Sequence, residues 1–419
     1  MTDVSAVMAL NSGSSSIKAG IYQRPDVSSR LLSVEVERIG LVDGLIRTAD
    51  ISGESITVAA SFPDFEAALR RLFAIVEEHR LLAQLSAVGH RVVHGGPDHR
   101  RHERVTPSVL ASIKRSAGLA RNHMPQALAG IDFVARALPG VDQVACFDTA
   151  FHRTLPAAAK ATGLARDIAD EHGIERYGFH GLSYEYLCNE VSRLDPVERG
   201  GRMIVAHLGN GASMAAIRDG ISVDTTMGFT PNSGLLMGTR SGDIESGVIT
   251  FLMRERGMSV DAIDLLLEQQ SGLRGVSGTT ADMRELLKNE ATDSRAAEAI
   301  ALFCHRARKT IGAYASVLSG LDTLVFSAGI GERSAVIRER ICDGQRHLGI
   351  VLDRERNLAN APVISRQDSR VTVRVIHTDE EAMIVRHTID LVSRSIPFDE
   401  PTPTFQPTDD ADRRALNHV

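Results

Sequence analysis

The sequence contains no tryptophan, only 4% aromatic residues and only four cysteines among its 419 residues. None of the cysteines forms a CxxC pair, and scattered single cysteines are typical of reduced core residues in a cytosolic protein. No apolar run reaches the ~18 residues that a membrane span needs. The apolar stretch near the N-terminus follows no basic region and runs into Asn11 and Gly13, so we expect a first strand rather than a signal peptide. These absences predict a cytoplasmic protein with no membrane partner.

An excess of positive charge is also missing. Lysine and arginine number 47 against 53 aspartates and glutamates, a net charge of −6, so we expect no nucleic-acid partner. Glycine, by contrast, is abundant at 35 residues, which suits a backbone that approaches ligands closely. The length and the 43% of apolar residues allow two or three domains with sizeable cores.

Two segments in opposite halves of the chain share one pattern, a strand, a Gly/Ser turn and a second strand. The first covers residues 4–22 and the second covers residues 203–226, and each predicts a hairpin. Three identities relate them, Leu10 with Leu208, Gly13 with Gly211 and Ser15 with Ser213. The repetition indicates an internal duplication, with two lobes and a ligand between their turns.

Strands alternate with helices along the remaining chain, which predicts an α/β fold. A helical spacing of apolar residues covers 65–82, and further strands are expected at the start of 86–96, 141–152, 321–334 and 371–392. After about residue 396, proline, aspartate and threonine dominate, so we expect residues 396–419 to be disordered.

The turn in LNSGSSSIK presents Asn11, Ser14, Ser16 and Lys18. Exposed backbone N–H groups, hydroxyls and an ammonium suit a phosphate. The Walker A spacing is absent, however, and a tight hairpin needs the same glycine and serines. Both interpretations of this stretch stay open on its own residues.

The segment GHRVVHGGPDHRRHER, residues 89–104, holds Arg91 and the histidines His94, His99 and His102. The histidine spacing fits neither a zincin nor a zinc finger, and the neighbouring arginines disfavour a cation. We expect 98–104 to be a solvated loop. Arg91 stands beside apolar residues at a predicted strand end, where a guanidinium needs an anion partner.

Three further side chains stand out by their setting. Asp148 ends an apolar strand, either as a turn or cap residue or as a carboxylate at the ligand-binding end of a sheet. His180, in RYGFHG, lies in a glycine-flanked loop that favours function over a structural role. Arg240 lies in the segment 224–245, which is long for a plain connection.

Acidic residues begin two predicted helices. Asp282, followed by Arg284, is either a helix cap or part of a binding loop. Glu380 and Glu381 complement the dipole of the last helix, and could also hold Mg²⁺ through water.

Ten motifs follow one another over about residues 5–390: LNSGSSSIK, GHRVVHGG, CFDTAFH, RYGFHG, AHLGNGAS, SVDTTMGFTP, GLLMGTRSGD, DMREL, VFSAGIGE and TDEEAMI. In these motifs and their order the chain resembles the acetate kinase family, within the acetate and sugar kinase, Hsp70 and actin superfamily. The resemblance implies reversible transfer of a phosphoryl group from ATP to a short carboxylic acid, with Mg²⁺ or Mn²⁺, by a homodimer.

The resemblance also implies an architecture. Two duplicated lobes of mixed β-sheet flanked by helices, as in actin-like ATPases and ribonuclease H, would enclose a cleft. The first lobe would cover 1–150 and be completed by a C-terminal helix at about 380–395. The nucleotide-binding lobe would cover 151–379.

The resemblance also implies a role for each residue that matches a functional position in the family's motifs. Catalysis would fall to Arg91, Asp148, His180 and Arg240. The acid would contact Arg91, Val93, Asn122, Phe179 and Pro231. The metal, or its water ligands, would be held by Asn11, Asp148 and Glu380. The nucleotide would be bound by Ser14, Ser16, Lys18, His207, Leu208, Gly209, Asn210, Gly211, Asp282, Met283, Arg284, Gly329, Ile330 and Gly331.

The chain departs from the family in three places. LARNHMP, residues 119–125, replaces LAPLHNP, so Asn122 stands where the family has an apolar residue of the methyl pocket. An amide buried there without a partner costs roughly 1–3 kcal/mol. Leu182 and Tyr184 change the motif GFHGTSH, and Arg333 changes GGIGEN.

Three functions therefore stay open. The leading one is an acetate kinase, and a close variant acts on propionate, butyrate or a hydroxy acid. The third is a non-catalytic ATP-binding switch, which would not need two arginines at the acceptor end.

Overall fold

The structure is a computed structural model that describes residues 5–25, 27, 29–195 and 201–393. The predicted disordered tail, 396–419, lies outside the described residues. No helix in the described ranges combines the length and the apolar character that a membrane crossing requires.

The first sheet contains eight strands in the order β5-β4-β3-β2-β1-β6-β8-β7. Their bounds are β1 (Ala6–Ser12), β2 (Ser16–Gln23), β3 (Arg30–Glu37), β4 (Leu45–Asp50), β5 (Ser55–Ala59), β6 (Leu85–Val92), β7 (Glu103–Arg104) and β8 (Asp142–Phe147). β1 and β2 form the predicted antiparallel hairpin, while β6 and β8 continue the sheet parallel to β1.

The second sheet contains five strands in the order β11-β10-β9-β12-β13. Their bounds are β9 (Arg202–Leu208), β10 (Ala212–Arg218), β11 (Ile221–Thr225), β12 (Thr323–Ser327) and β13 (Thr372–Val375). The first three strands are antiparallel, and β12 and β13 run parallel to β9. This order and these directions repeat the set β3-β2-β1-β6-β8, so the predicted duplication of two mixed sheets is confirmed.

Fifteen helices accompany the two sheets in the described residues. They are α1 (Phe65–Glu78), α2 (Pro107–Arg115), α3 (Met124–Ala137), α4 (Ala157–Lys160), α5 (Arg166–His172), α6 (Gly181–Leu194), α7 (Ser246–Arg256), α8 (Val260–Gln269), α9 (Gly272–Ser277), α10 (Met283–Asn289), α11 (Ser294–Val317), α12 (Ala328–Arg333), α13 (Ala335–Cys342), α14 (Arg354–Leu358) and α15 (Glu380–Ser393). The helix expected over 65–82 ends earlier, because Arg80 adopts a left-handed φ of 58°.

The apolar faces of these elements form the cores. On α11, the predicted stripe that includes Phe303, Ala307 and Ile311 is buried against the second sheet and its neighbours. All four cysteines are buried and unpaired, as the sequence predicts.

The last helix returns to the first sheet. Met383 and Ile384 of α15 pack in one buried cluster with Val7 of β1 and Cys146 of β8. The packing brings the start of α15, and with it Glu380, to the edge where β1, β6 and β8 end. We therefore propose the lobe limits expected from the sequence, with α15 in the first lobe.

Candidate active site

Parallel strands bring the first group of polar residues together. Asn11 is on β1, Arg91 is on β6, and Asp148 directly follows β8. The register pairs Leu10 with His90 and Arg91 with Cys146, so all three polar residues reach the same edge of the sheet. Carboxyl ends of parallel strands are the usual ligand-binding edge in α/β folds.

Arg91 is the centre of this group. Its Nε and Nη2 donate to the two carboxylate oxygens of Asp148 at 2.6–3.1 Å, and its Nη1 donates to Asn11 Oδ1 at 3.2 Å. Glu380 Oε2 lies 3.8 Å from Arg91 Nε and accepts from Asn11 Nδ2 at 3.1 Å. Burial disfavours the charged guanidinium, but Asp148 and Glu380 outweigh it and hold the pKa of Arg91 above its usual value.

The same group has the chemistry of a magnesium site. Asp148, Glu380 and Asn11 offer two carboxylates and one amide oxygen at one point of the cleft. Mg²⁺ favours oxygen ligands and commonly binds through one or two carboxylates together with phosphates and water. The residues present therefore fit this ion.

His180 lies beside this group at the beginning of α6. Its φ of 57° is left-handed, a strained conformation for a residue other than glycine. The following Gly181 donates its N–H to the Asp148 carbonyl at 2.9 Å, and a Cβ at Gly181 would lie 2.1 Å from that oxygen. Only glycine fits there, so the chain itself fixes His180 next to Asp148.

A buried chain of hydroxyls orients the His180 ring. Its Nδ1 lies 2.8 Å from Ser213 Oγ, which lies 2.5 Å from the hydroxyl of Tyr184. The His180 ring also stacks on the His207 ring, with their centroids 4.2 Å apart. Burial, His207 and the two arginines keep the pKa of His180 well below its ordinary value, so the ring is neutral at pH 7.

Arg240 differs from Arg91 because no carboxylate among the described residues forms an ion pair with it. Its Nη1 donates to the Pro231 carbonyl at 2.6 Å. A Cβ added to Gly211 would lie 2.6 Å from Arg240 Nη2 and 3.4 Å from His180 Nε2, so this turn brings its backbone up to both side chains. Burial lowers the pKa of Arg240 to about 10, and the side chain stays charged at pH 7.

His123 is a neighbour of this site that sequence reasoning missed. Burial, Arg240 and Arg91 together lower its pKa to about 4, which places a neutral imidazole within the field of both arginines. The sequence feature that could have identified His123 is its position in LARNHMP, next to Asn122.

The part of the predicted acid pocket that would hold the methyl group is apolar except at Asn122. Val93 and Phe179 are buried in one cluster, and Pro231 is buried where its carbonyl holds Arg240. The Nδ2 of Asn122 donates to the Glu268 carboxylate. The free-energy cost of burying an amide without a partner therefore does not arise, because a glutamate from the other lobe accepts a hydrogen bond from Asn122.

A cavity of about 720 Å³ in the second lobe is lined by half of the predicted nucleotide residues. Its lining includes Gly209, Asn210, Asp282, Met283, Arg284, Gly329 and Ile330. His207 and Leu208 of β9 are buried, as is Gly331, and they do not line it. Sequence reasoning missed Leu287, which lies four residues after Met283 and therefore on the same face of α10.

The first predicted phosphate turn lies on the other side of the cleft. Gly13 N–H donates to the Ser16 carbonyl at 2.8 Å and closes the turn, with Ser14 exposed. Lys18 Nζ lies 2.7 Å from Glu35 Oε1, so in this state its ammonium faces β3. Phosphate binding by Ser14, Ser16 and Lys18 remains a prediction.

The expectation of a solvated loop over 98–104 is wrong at its histidines. His99 is buried and stacks on Phe147 at 5.0 Å, and Glu103 begins β7. His102 accepts the Phe147 N–H through Nδ1 at 3.0 Å. Residues 98–104 fold back on the sheet and place these rings against β8. Local sequence does not reveal this packing.

His102, Glu185 and His387 form a cluster whose ligand atoms lie within 4.8 Å of one another. Because His102 Nδ1 accepts a hydrogen bond, the proton of its neutral ring is on Nε2, the atom that faces Glu185. A protonated nitrogen cannot ligate a metal. This cluster is a hydrogen-bonded connection between the lobes, with His387 Nε2 2.9 Å from Glu185 Oε2.

Comparison with known proteins gives one consistent family. Residues 6–386 match the model of the acetokinase family. An acetate kinase of Methylocella silvestris is 45% identical over 402 residues, which cover 93% of this chain and 98% of that protein. An acetate kinase of Bacillus cytotoxicus is 40% identical over 397 residues, with 93% and 99% covered.

Solved structures agree with these relatives. The crystal structure of Porphyromonas gingivalis acetate kinase matches with a TM-score of 0.82 at 37% identity and covers 93% of this chain and 100% of that one. A propionate kinase from Francisella tularensis matches with a TM-score of 0.87 at 36% identity, with 92% and 100% covered.

Proposed function

The chain belongs to the acetokinase family, and from this we propose that it is an acetate kinase. It would transfer the terminal phosphoryl group of ATP to acetate, giving acetyl phosphate and ADP, and catalyse the reverse reaction. The observation that carries the proposal is Arg240, a half-buried guanidinium without a carboxylate partner among the described ion pairs, beside the neutral His180. Such an arrangement binds an anion. Asn210 lines the nucleotide cavity, and the next residue, Gly211, approaches Arg240 and His180.

The reaction requires little covalent chemistry from the protein. A carboxylate oxygen of acetate attacks the terminal phosphorus, a new P–O bond forms, and the bond to the bridging oxygen of ADP breaks. A carboxylate is already ionised at pH 7, so no general base is needed. The protein's task is to align the two anions and neutralise the charge on the transferring group.

The two arginines and His180 suit that task differently. Arg240 has free donors for an incoming carboxylate or phosphoryl oxygen, since within the described residues only its Nη1 donates a hydrogen bond. Arg91 is fixed by Asp148 and supplies positive charge from the first lobe. In the tautomer in which Nδ1 accepts from Ser213, the Nε2–H of neutral His180 is left to donate to an oxygen of the transition state.

Asn11, Asp148 and Glu380 are the residues that would hold Mg²⁺, or Mn²⁺ in its place. The bound ion would neutralise phosphate oxygens and favour departure of ADP. Each of these side chains is already oriented by Arg91 or by its neighbour in the group. We further propose a cytoplasmic homodimer, on the strength of the family alone.

Propionate is the second candidate acceptor. The similarity to a propionate kinase supports it, and so does the departure at Asn122. The side chains of Val93 and Phe179 are apolar, so a methyl group and an ethyl group are equally compatible with them in polarity.

Replacement of Arg240 by alanine tests the role of the unpaired guanidinium. We expect kcat to fall by roughly 10³-fold, the range seen when a charge-neutralising arginine is removed from phosphoryl transfer. ATP binding by calorimetry should stay within about two-fold, since the adenosine end of the cavity is untouched.

The matched control is Arg254→Ala, which removes an exposed arginine from α7 and should leave both quantities unchanged. Turnover of Arg240→Ala at the wild-type rate would contradict the proposal.

A further inference from the structure

Glu268 accepts hydrogen bonds from two sides of the cleft. It lies near the end of α8 in the second lobe. Its Oε1 accepts from Asn232 Nδ2 at 2.8 Å, and its Oε2 accepts from Asn122 Nδ2, a residue of the first lobe. One carboxylate thus joins a loop of each lobe.

The backbone around Glu268 holds the loop that carries Arg240. The Glu268 carbonyl accepts from the Thr239 hydroxyl at 2.9 Å, and the Leu267 carbonyl accepts from the Ser241 N–H at 3.0 Å. The residues on both sides of Arg240 are therefore tied to the end of α8.

The side-chain contact with Asn232 adds a second hold on Arg240. Asn232 follows Pro231, whose carbonyl accepts from Arg240 Nη1 at 2.6 Å. Fixing Asn232 therefore fixes the acceptor that orients the guanidinium. The negative charge of Glu268 also acts on Arg240, since it favours the charged form of this half-buried arginine.

We propose that Glu268 is a positioning residue for phosphoryl transfer, which orients Arg240 and couples this orientation to closure of the cleft through Asn122. The inference rests on the proposed function. It also accounts for the polar residue in LARNHMP, because the amide of Asn122 connects the lobes through this carboxylate. A glutamate suits the position because a carboxylate has two acceptor oxygens, whereas a glutamine at 268 could accept from only one asparagine.

Steady-state kinetics of Glu268→Ala tests this role. We expect kcat/KM for acetate to fall by about ten-fold or more, the loss expected for hydrogen bonds to a charged group, while KM for ATP changes by less than about two-fold. Glu268→Gln should recover part of the loss, since it retains one acceptor oxygen. Glu255→Ala, an exposed glutamate on the neighbouring α7, is the matched control.

A double-mutant cycle with Asn122→Ala tests the coupling between the lobes. If the two side chains act through one another, the double variant should be no slower than Glu268→Ala alone. Additive losses, or wild-type kinetics of Glu268→Ala, would overturn the inference while leaving the proposed function intact. A wild-type chain without acid-dependent turnover would instead overturn the proposed function, and this role with it.

Discussion

At the scale of single residues, removal of the Tyr184 hydroxyl is the most selective way to test how His180 is oriented. Tyr184 is fully buried, and among the described residues its hydroxyl hydrogen-bonds to Ser213, which in turn contacts Nδ1 of His180. The residue also marks a departure from the family's motif. We therefore propose that Tyr184 fixes the tautomer and the direction of the His180 ring.

Tyr184→Phe removes that hydroxyl and little else. We expect kcat to fall by about ten-fold, because Ser213 then loses the partner that directs its own proton, while KM for ATP is unchanged. The free energy of unfolding should fall by only about 1 kcal/mol, the usual net value of one hydrogen bond. Kinetics and urea denaturation measure the two effects, and an unaltered kcat would show that the hydroxyl does not orient His180.

Sequence reasoning reached many of these residues but not their partners. Arg91 was expected to need an anion partner because it lies among apolar residues, and Asp148 supplies it from the end of the neighbouring strand β8. The partner of Asn122 could not be found in this way, because Glu268 lies 146 residues further along the chain. Periodicity and motifs describe a residue's neighbourhood in sequence, not its contacts across a cleft.

At the scale of elements, local patterns predicted most of the central strands. The β1–β2 and β9–β10 hairpins and the parallel strands β6, β8 and β12 occur where apolar runs end in glycine or polar residues. The duplication was visible as a repeated strand–turn–strand pattern. Its full extent, the same strand order in both sheets, depends on pairings between distant segments and becomes apparent only in three dimensions.

The loop over 98–104 shows where the local signal fails. Its arginines and histidines predict exposure, yet His99 stacks on Phe147 and His102 binds the backbone of β8. Histidine is amphipathic, so tertiary contacts decide whether it is buried.

At the scale of the whole molecule, buried histidines make folding sensitive to acid. Burial is the main cause that lowers the pKa to about 4 for His90, His94, His123 and His152. In the unfolded chain the same rings titrate near 6.5. Between these values the unfolded state binds more protons, so stability falls as pH decreases.

We therefore expect the free energy of unfolding to drop between pH 6.5 and about pH 4, by about 1.4 kcal/mol per pH unit for each such histidine. Glu381 has the opposite effect on the free energy of unfolding and offsets the contribution of about one histidine. Burial and Asp379 raise its pKa to about 7, so the folded state gains a proton as the pH falls. The net loss of several kcal/mol should appear in urea denaturation at pH 7 and pH 5. A stability that is unchanged or greater at pH 5 would contradict it.

Phosphoryl transfer to acetate can be measured by trapping the acyl phosphate with hydroxylamine. The assay supplies Mg²⁺, ATP and one acid at a time from formate, acetate, propionate, butyrate, lactate and glycolate. We expect the highest hydroxamate signal with acetate, and a highest signal with propionate would select the second candidate instead. No signal with any acid, from a chain that still binds ATP, would contradict phosphoryl transfer and leave a non-catalytic nucleotide-binding protein.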